Sequence, residues 1–135
     1  MKKHNPIKRS QELVQLSREH HFGLLLVWEI RRDLGKGVEF DKISKRIIDF
    51  YTTDLEKHFK EEEETVFTLL PPDHPLRVQA EDEHRKIYAM IEMLKNTKAD
   101  AALLNEFADT LEAHIRFEER TLFNLIQEMQ GTAQP

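Results

Sequence analysis

The residues best suited to chemistry in this chain are two identical pairs, His58-x-x-x-Glu62 and His114-x-x-x-Glu118. Four-residue spacing stacks a histidine and a glutamate one turn apart on one face of a helix, so both side chains can reach a common point. Each pair sits in the same kind of stripe. Steps of three and four give Ile48, Tyr51, Leu55, His58, Glu62, Thr65 and Leu69 in one segment, and Leu104, Phe107, Leu111, His114, Glu118, Thr121 and Leu125 in the other, with Phe67 and Phe123 also equivalent. Ionisable groups on a core-facing stripe are costly unless paired or bound to a cation, and neither stripe offers Lys or Arg. A cation supplies the missing charge and turns the cluster into a binding site. Imidazole and carboxylate without thiolate suit iron, manganese or zinc, and two carboxylates able to bridge favour a pair of irons.

Two further stretches, Glu19-His20-His21 and Glu83-His84, extend the set. Aligning His20 with His84 pairs Leu16 with Ala80, Leu24 with Tyr88, Val27 with Ile91 and Ile30 with Leu94. Aligning His21 with His84 pairs Leu24 with Ile87 and Trp28 with Ile91. The first alignment is narrowly preferred, and either imidazole remains a candidate.

These residues need elements to position them. Four glycines and five prolines cluster between long stretches of helical periodicity, which predicts an all-α, antiparallel up-down-up-down four-helix bundle formed as a single domain by residues 1–135. The helices are expected at roughly 10–34, 41–70, 75–96 and 100–130. Ser10 caps the first and Gly35-Lys36-Gly37 turns the chain; Pro71-Pro72 stops the second; Asp73-His74-Pro75 opens the third; Gly131 stops the fourth, ahead of a frayed tail. Counted outward from these turns, the candidate histidines and glutamates lie within roughly one turn of a common height.

Composition removes several function classes. With 20 Lys+Arg against 25 Asp+Glu the net charge is -5, which disfavours a nucleic-acid surface. The absence of cysteine excludes disulfides, thiolate zinc sites, Cys-ligated iron–sulfur clusters and a cysteine nucleophile, and it favours a cytoplasmic setting. The apolar run Leu24–Trp28 is far shorter than a membrane span, and Lys2-Lys3 leads into His4-Asn5-Pro6 rather than an apolar leader. A ferritin-like di-iron site needs Glu-x-x-His on two helices; only Glu81-x-x-His84 has that order here, and Leu55 and Leu111 precede His58 and His114 instead.

Other residues receive ordinary roles. In the run Glu61–Glu64 one or two side chains face inward and the rest are expected in solvent, as is Glu119; His4 and His74 are expected on the surface. Phe59 and Phe117 are expected to pack beside the cluster and limit water entry, and Trp28 is expected in the core.

The segments Leu16–His21, His58–Glu63, Glu83–Ile87 and His114–Arg120 resemble those of the hemerythrin-like, or HHE cation-binding, family, and the resemblance covers nearly the whole chain. It implies a non-haem di-iron centre with an oxo or hydroxo bridge. Its ligands would be His20 or His21, His58, Glu62, His84, His114 and Glu118, with Glu62 and Glu118 bridging. Oxygen-carrying hemerythrins have a second histidine four residues past the third-helix ligand; Tyr88 stands there in this chain. That substitution removes one terminal imidazole or hands its place to water or Tyr88. The expected function is binding of oxygen or a related small ligand, or redox sensing. The alternatives are a di-iron enzyme reducing peroxide or nitric oxide with Tyr88 as proton or electron donor, and a metal-free helical interaction module. No nucleic-acid or membrane partner is expected; a monomer or a homodimer fits equally, and a protein partner carries no signal.

Overall fold

The computed structural model describes residues 11–132. The expected cap at Ser10, the surface position of His4 and the frayed tail lie outside the described residues or at their edge. Four helical rods form an all-α four-helix bundle: α1 (Gln11–Gly35), α2 (40–69), α3 (Pro75–Asn96) and α4 (101–132). Their ends follow local chemistry. Gly37 adopts φ +74°, a left-handed conformation that suits glycine and lets the chain leave α1. Leu70 turns extended before Pro71-Pro72, and Pro75 occupies the first turn of α3. His74 caps α3 by accepting the Leu76 N–H at 3.1 Å, and Asp100 caps α4 by accepting the Leu103 N–H at 2.8 Å. Gly131 does not stop α4, which runs on to Thr132.

Side-chain pairs fix how the rods lie. Along α1, His20 meets Glu118 and Glu119 while Arg31 meets Asp109 and Glu112, so α4 runs the opposite way. The pairs Glu19–His58 and Glu29–Arg46 set α2 antiparallel to α1, and Glu63–Tyr88 with Leu70–Arg77 do the same for α3 against α2. Two apolar clusters sandwich the ionisable layer. One contains Leu26, Ile30, Ile47, Phe59, Ile91, Phe107 and Leu111, and the other Leu13, Leu16, Val66, Phe67, Leu122, Phe123 and Ile126.

The helical rods are not uniform. Tyr51–Leu55, Glu62–Val66 and Glu118–Leu122 are π-turns, and two of them begin at the glutamates of the two His-x-x-x-Glu pairs. Each takes one extra residue per turn and so rotates the helix that follows. The buried positions after Glu62 are Val66, Phe67 and Leu70 rather than the expected Thr65 and Leu69, and Leu69 is exposed. After Glu118 they are Leu122, Phe123 and Ile126; Thr121 faces solvent and Leu125 is only partly buried. The shift is the same in both helices.

The expectation for Trp28 is corrected. It lies on the solvent side of α1, 57% exposed, with the Arg32 guanidinium 5.0 Å above its ring. Core positions on α1 are Leu13, Leu16, His20, Gly23, Leu26, Val27 and Ile30. This is the register of the His20 alignment, in which Trp28 points away from the bundle axis.

Candidate metal centre

One imidazole from each helix enters the layer, joined by a carboxylate from α2 and another from α4. His20, His58, His84 and His114 are buried, and Glu62 and Glu118 are fully so. They form two adjoining groups that share both glutamates: His20, His58, Glu62 and Glu118 on one side, and His84, His114, Glu62 and Glu118 on the other. Within each group the candidate ligand atoms lie within 4.8 Å of one another. His20 Nε2 is 2.8 Å from Glu118 and 3.4 Å from Glu62; His84 Nε2 is 3.1 Å from Glu62 and 3.7 Å from Glu118.

His21 does not join the cluster. It is exposed, with its ring edge-on to Phe22. Tyr88 is also outside both groups. Its hydroxyl donates to Glu63 at 2.6 Å, and burial followed by that hydrogen bond pushes its pKa up.

The outer nitrogen of every ring has its own carboxylate. His58 Nδ1 meets Glu19 at 2.8 Å, His84 meets Glu63 at 2.7 Å, His114 meets Glu83 at 2.7 Å and His20 meets Glu119 at 2.6 Å. The pattern is cyclic: α1 holds the ring of α2, α2 that of α3, α3 that of α4, and α4 that of α1. An Nδ1–H donating outward leaves Nε2 as the inward-facing nitrogen, the tautomer a metal-bound imidazole requires. The sequence reading missed these four glutamates and assigned Glu119 to solvent. A usable signal existed, because each is adjacent to a candidate ligand: Glu19-His20, Glu62-Glu63, Glu83-His84 and Glu118-Glu119.

Phe59 stacks on His84 with centroids 3.8 Å apart and planes 19° from parallel, and Phe123 stacks on His20 at 5.3 Å and 21°. Phe117 is partly buried against the apolar cluster at the other side of the layer. These rings fix the imidazole planes and place apolar surface against them.

The geometry is that of atoms converging on a shared point. His58 Nε2 lies 3.1 Å from Glu62 Oε2, and His114 Nε2 lies 3.1 Å from Glu118 Oε2, yet none of these four buried atoms makes a hydrogen bond. Buried polar atoms are rarely left so. Two fully buried carboxylates facing inward nitrogen lone pairs need positive charge between them. In the metal-free chain protons supply it: burial opposes the charge on His20, but the hydrogen bonds it donates to Glu118 and Glu119 outweigh it and lift its pKa to about 12. His84 rises to about 11 for the same reason; against the same opposition from burial, the negative charge of Glu62 lifts His58 to about 9 and that of Glu118 raises His114. The partner carboxylates are held down, Glu118 well below the usual range and Glu62 less so, because Glu118 repels it. A bound cation can replace those protons, and the buried His/Glu cluster fits a metal-binding site.

Fold and site together define a helical bundle with a His/carboxylate cation centre built into its core. The chain matches the Hemerythrin HHE cation binding domain over residues 13–126, a span that includes all six cluster residues, and it belongs to that family. No curated protein and no solved structure matches it. No helix among the described residues is long and apolar enough to cross a membrane.

Proposed function

We propose that this chain is a non-haem di-iron protein that binds oxygen or a related small ligand, or senses redox state, without needing to turn a substrate over. The observation that carries the proposal is the sharing of Glu62 and Glu118 between two four-residue groups, with inward atoms that satisfy no hydrogen bond. Shared carboxylates suit a bridged pair of ions, and an imidazole–carboxylate set without thiolate suits iron over soft metals; zinc and manganese are the competitors. When bound, iron supplies redox-active coordination positions for a small ligand. The protein's share is to hold His20 and His58 on one side and His84 and His114 on the other, to fix each Nδ1–H on its outer carboxylate so that Nε2 faces inward, and to cover the layer with Phe59 and Phe123.

A second reading, reduction of peroxide or nitric oxide, is favoured by the string Tyr88–Glu63–His84. The hydroxyl and the imidazole Nδ1 share one Glu63 oxygen, so Tyr88 can deliver a proton toward the His84 side.

Metal content per chain after expression in iron-replete medium, with absorption spectra after reduction and air exposure, tests the proposal. About two irons per chain with oxo-bridge bands support it. Absence of iron with folding unaffected by chelation defeats it in favour of a metal-free interaction bundle. Consumption of peroxide or nitric oxide at steady state with a reductant selects the second reading; reversible spectral change without consumption selects the first.

A further inference from the structure

The two halves of the centre correspond position by position, and they differ where a small molecule could approach. Three residues past His20, α1 carries Gly23; three past His84, α3 carries Ile87. One residue past His114 stands Ile115; one past His58 stands Phe59. On the His84 side those positions are held by buried Ile87 and by Phe59, which stacks on the imidazole at 3.8 Å. On the His20 side, a Cβ placed on Gly23 would meet Ile115 Cδ1 at 2.7 Å. Gly23 is buried without a side chain, and the tip of Ile115 takes the place its Cβ would occupy.

Gly23 and Ile115 both line a cavity of about 220 Å³, walled also by Phe50, Leu55 and Phe59, and it reaches His20 and His58. Thr53, Asp54 and Lys57 stand at its exposed lip, where the opposite charges of Asp54 and Lys57 cancel. The Glu19 carboxylate that also lines it is taken by His58 Nδ1 at 2.8 Å. The charged side chains in the wall are offset by opposite charges beside them, so none singles out an ion. Size is equally informative, because an apolar protein cavity of about 150 Å³ already admits benzene, whereas a diatomic gas would leave most of the present one unfilled.

We infer that this cavity receives a small neutral organic molecule with an apolar body, and that Gly23 sets the size of what can enter on the His20/His58 side. The inference rests on the di-iron reading for what such a ligand would do at the centre. The existence of the pocket does not depend on that reading.

Benzene and xenon are the probes, applied to the full chain loaded with iron and again after chelation. Binding is followed by saturable NMR shifts of the Leu55 and Ile115 methyl groups, with iron content measured on the same samples. Both probes are expected to bind in both states. Gly23→Ala is expected to weaken benzene at least about tenfold and Gly23→Leu to abolish its binding, while Ile115→Ala, which does not crowd α1, should admit naphthalene. No saturable shift in the wild-type chain, benzene binding by Gly23→Leu within about twofold of wild type, or exclusion of naphthalene by Ile115→Ala would each overturn the inference. Benzene binding by a chain that never acquires iron would uphold the pocket and defeat the di-iron reading alone.

Discussion

Removing one outer carboxylate should weaken the metal centre without touching a ligand, and Glu83→Ala is the most telling case. Glu83 accepts from His114 Nδ1 at 2.7 Å, and His114 is 1% exposed. Loss of such a partner typically costs 10–100-fold in metal affinity, about 1.4–2.8 kcal/mol, since the imidazole loses both its fixed tautomer and part of its basicity. Exposure of the carboxylate decides where in that range each variant falls, because a water can take over a solvent-facing acceptor. Glu83 is 26% exposed, against 31% for Glu119, 34% for Glu19 and 35% for Glu63. Glu83→Ala should therefore approach about 100-fold, Glu119→Ala fall between, and Glu19→Ala or Glu63→Ala stay nearer about 10-fold. Chelator competition with ferrous ion at fixed pH under anaerobic conditions measures this directly, with Glu64→Ala on the exposed side of α2 as the control. Affinities within about twofold of wild type for all four variants, alongside collapse of binding in Glu118→Ala, would show that the outer carboxylates are surface residues after all.

Three further outcomes are expected. His114→Ala and Glu118→Ala should each lower iron per chain by atomic analysis while retaining most of the far-ultraviolet helicity, because the apolar clusters on both sides of the layer hold the bundle; full iron retention in both would sink the ligand assignment. The metal-free protein should have its highest melting temperature between about pH 4.5 and 6.5: Glu62 and Glu118, with lowered pKa, contribute stability that is lost as pH falls below 4.5, and the raised histidines contribute stability that is complete below 6.5 and lost as pH rises, first through about 9 at His58. The loaded protein should show the opposite slope from pH 5 to 7, since acid returns the protons that metal displaced, and parallel melting curves for the two forms would contradict this. Tyr88→Phe removes one partly buried hydrogen bond and should cost about 1 kcal/mol in urea unfolding with iron content unchanged; loss of an iron would place Tyr88 at the metal.

Much of the fold was legible because its signals are redundant. Proline and glycine punctuation, helix caps and two matching stripes all specify the same four rods, and helix bounds fall within a few residues of those expected. The six inward residues were legible for a related reason: a His or Glu on an otherwise apolar stripe stands out, and it recurs in both halves. What could not be read directly is the state of residues at the stripe edge. Glu19, Glu63, Glu83 and Glu119 look like ordinary surface acids, and only the neighbouring helix gives each a partner. His20 and His21 differ by 100° of helix rotation, which one local pattern could not resolve until the rest of α1 fixed the register.

The π-turns show how a local irregularity can be recovered from the repeat. A straight helix carries the stripe from His58 and Glu62 to Thr65 and Leu69, and from His114 and Glu118 to Thr121 and Leu125. Slipping one residue after each glutamate gives Val66 and Leu70, and Leu122 and Ile126, a more apolar continuation in both cases. Hydrophobic burial favours the slipped register by roughly the difference between a buried Thr and a buried Val or Leu at one site per half, on the order of 1–3 kcal/mol each. That gain offsets the poorer hydrogen-bond geometry of one wide turn. The slip begins at the shared carboxylates, so each glutamate faces the axis together with the histidine one turn before it and the apolar residue one wide turn after it. Asking which register is more apolar in both copies of the repeat therefore locates the irregular turn and the residue it serves at once.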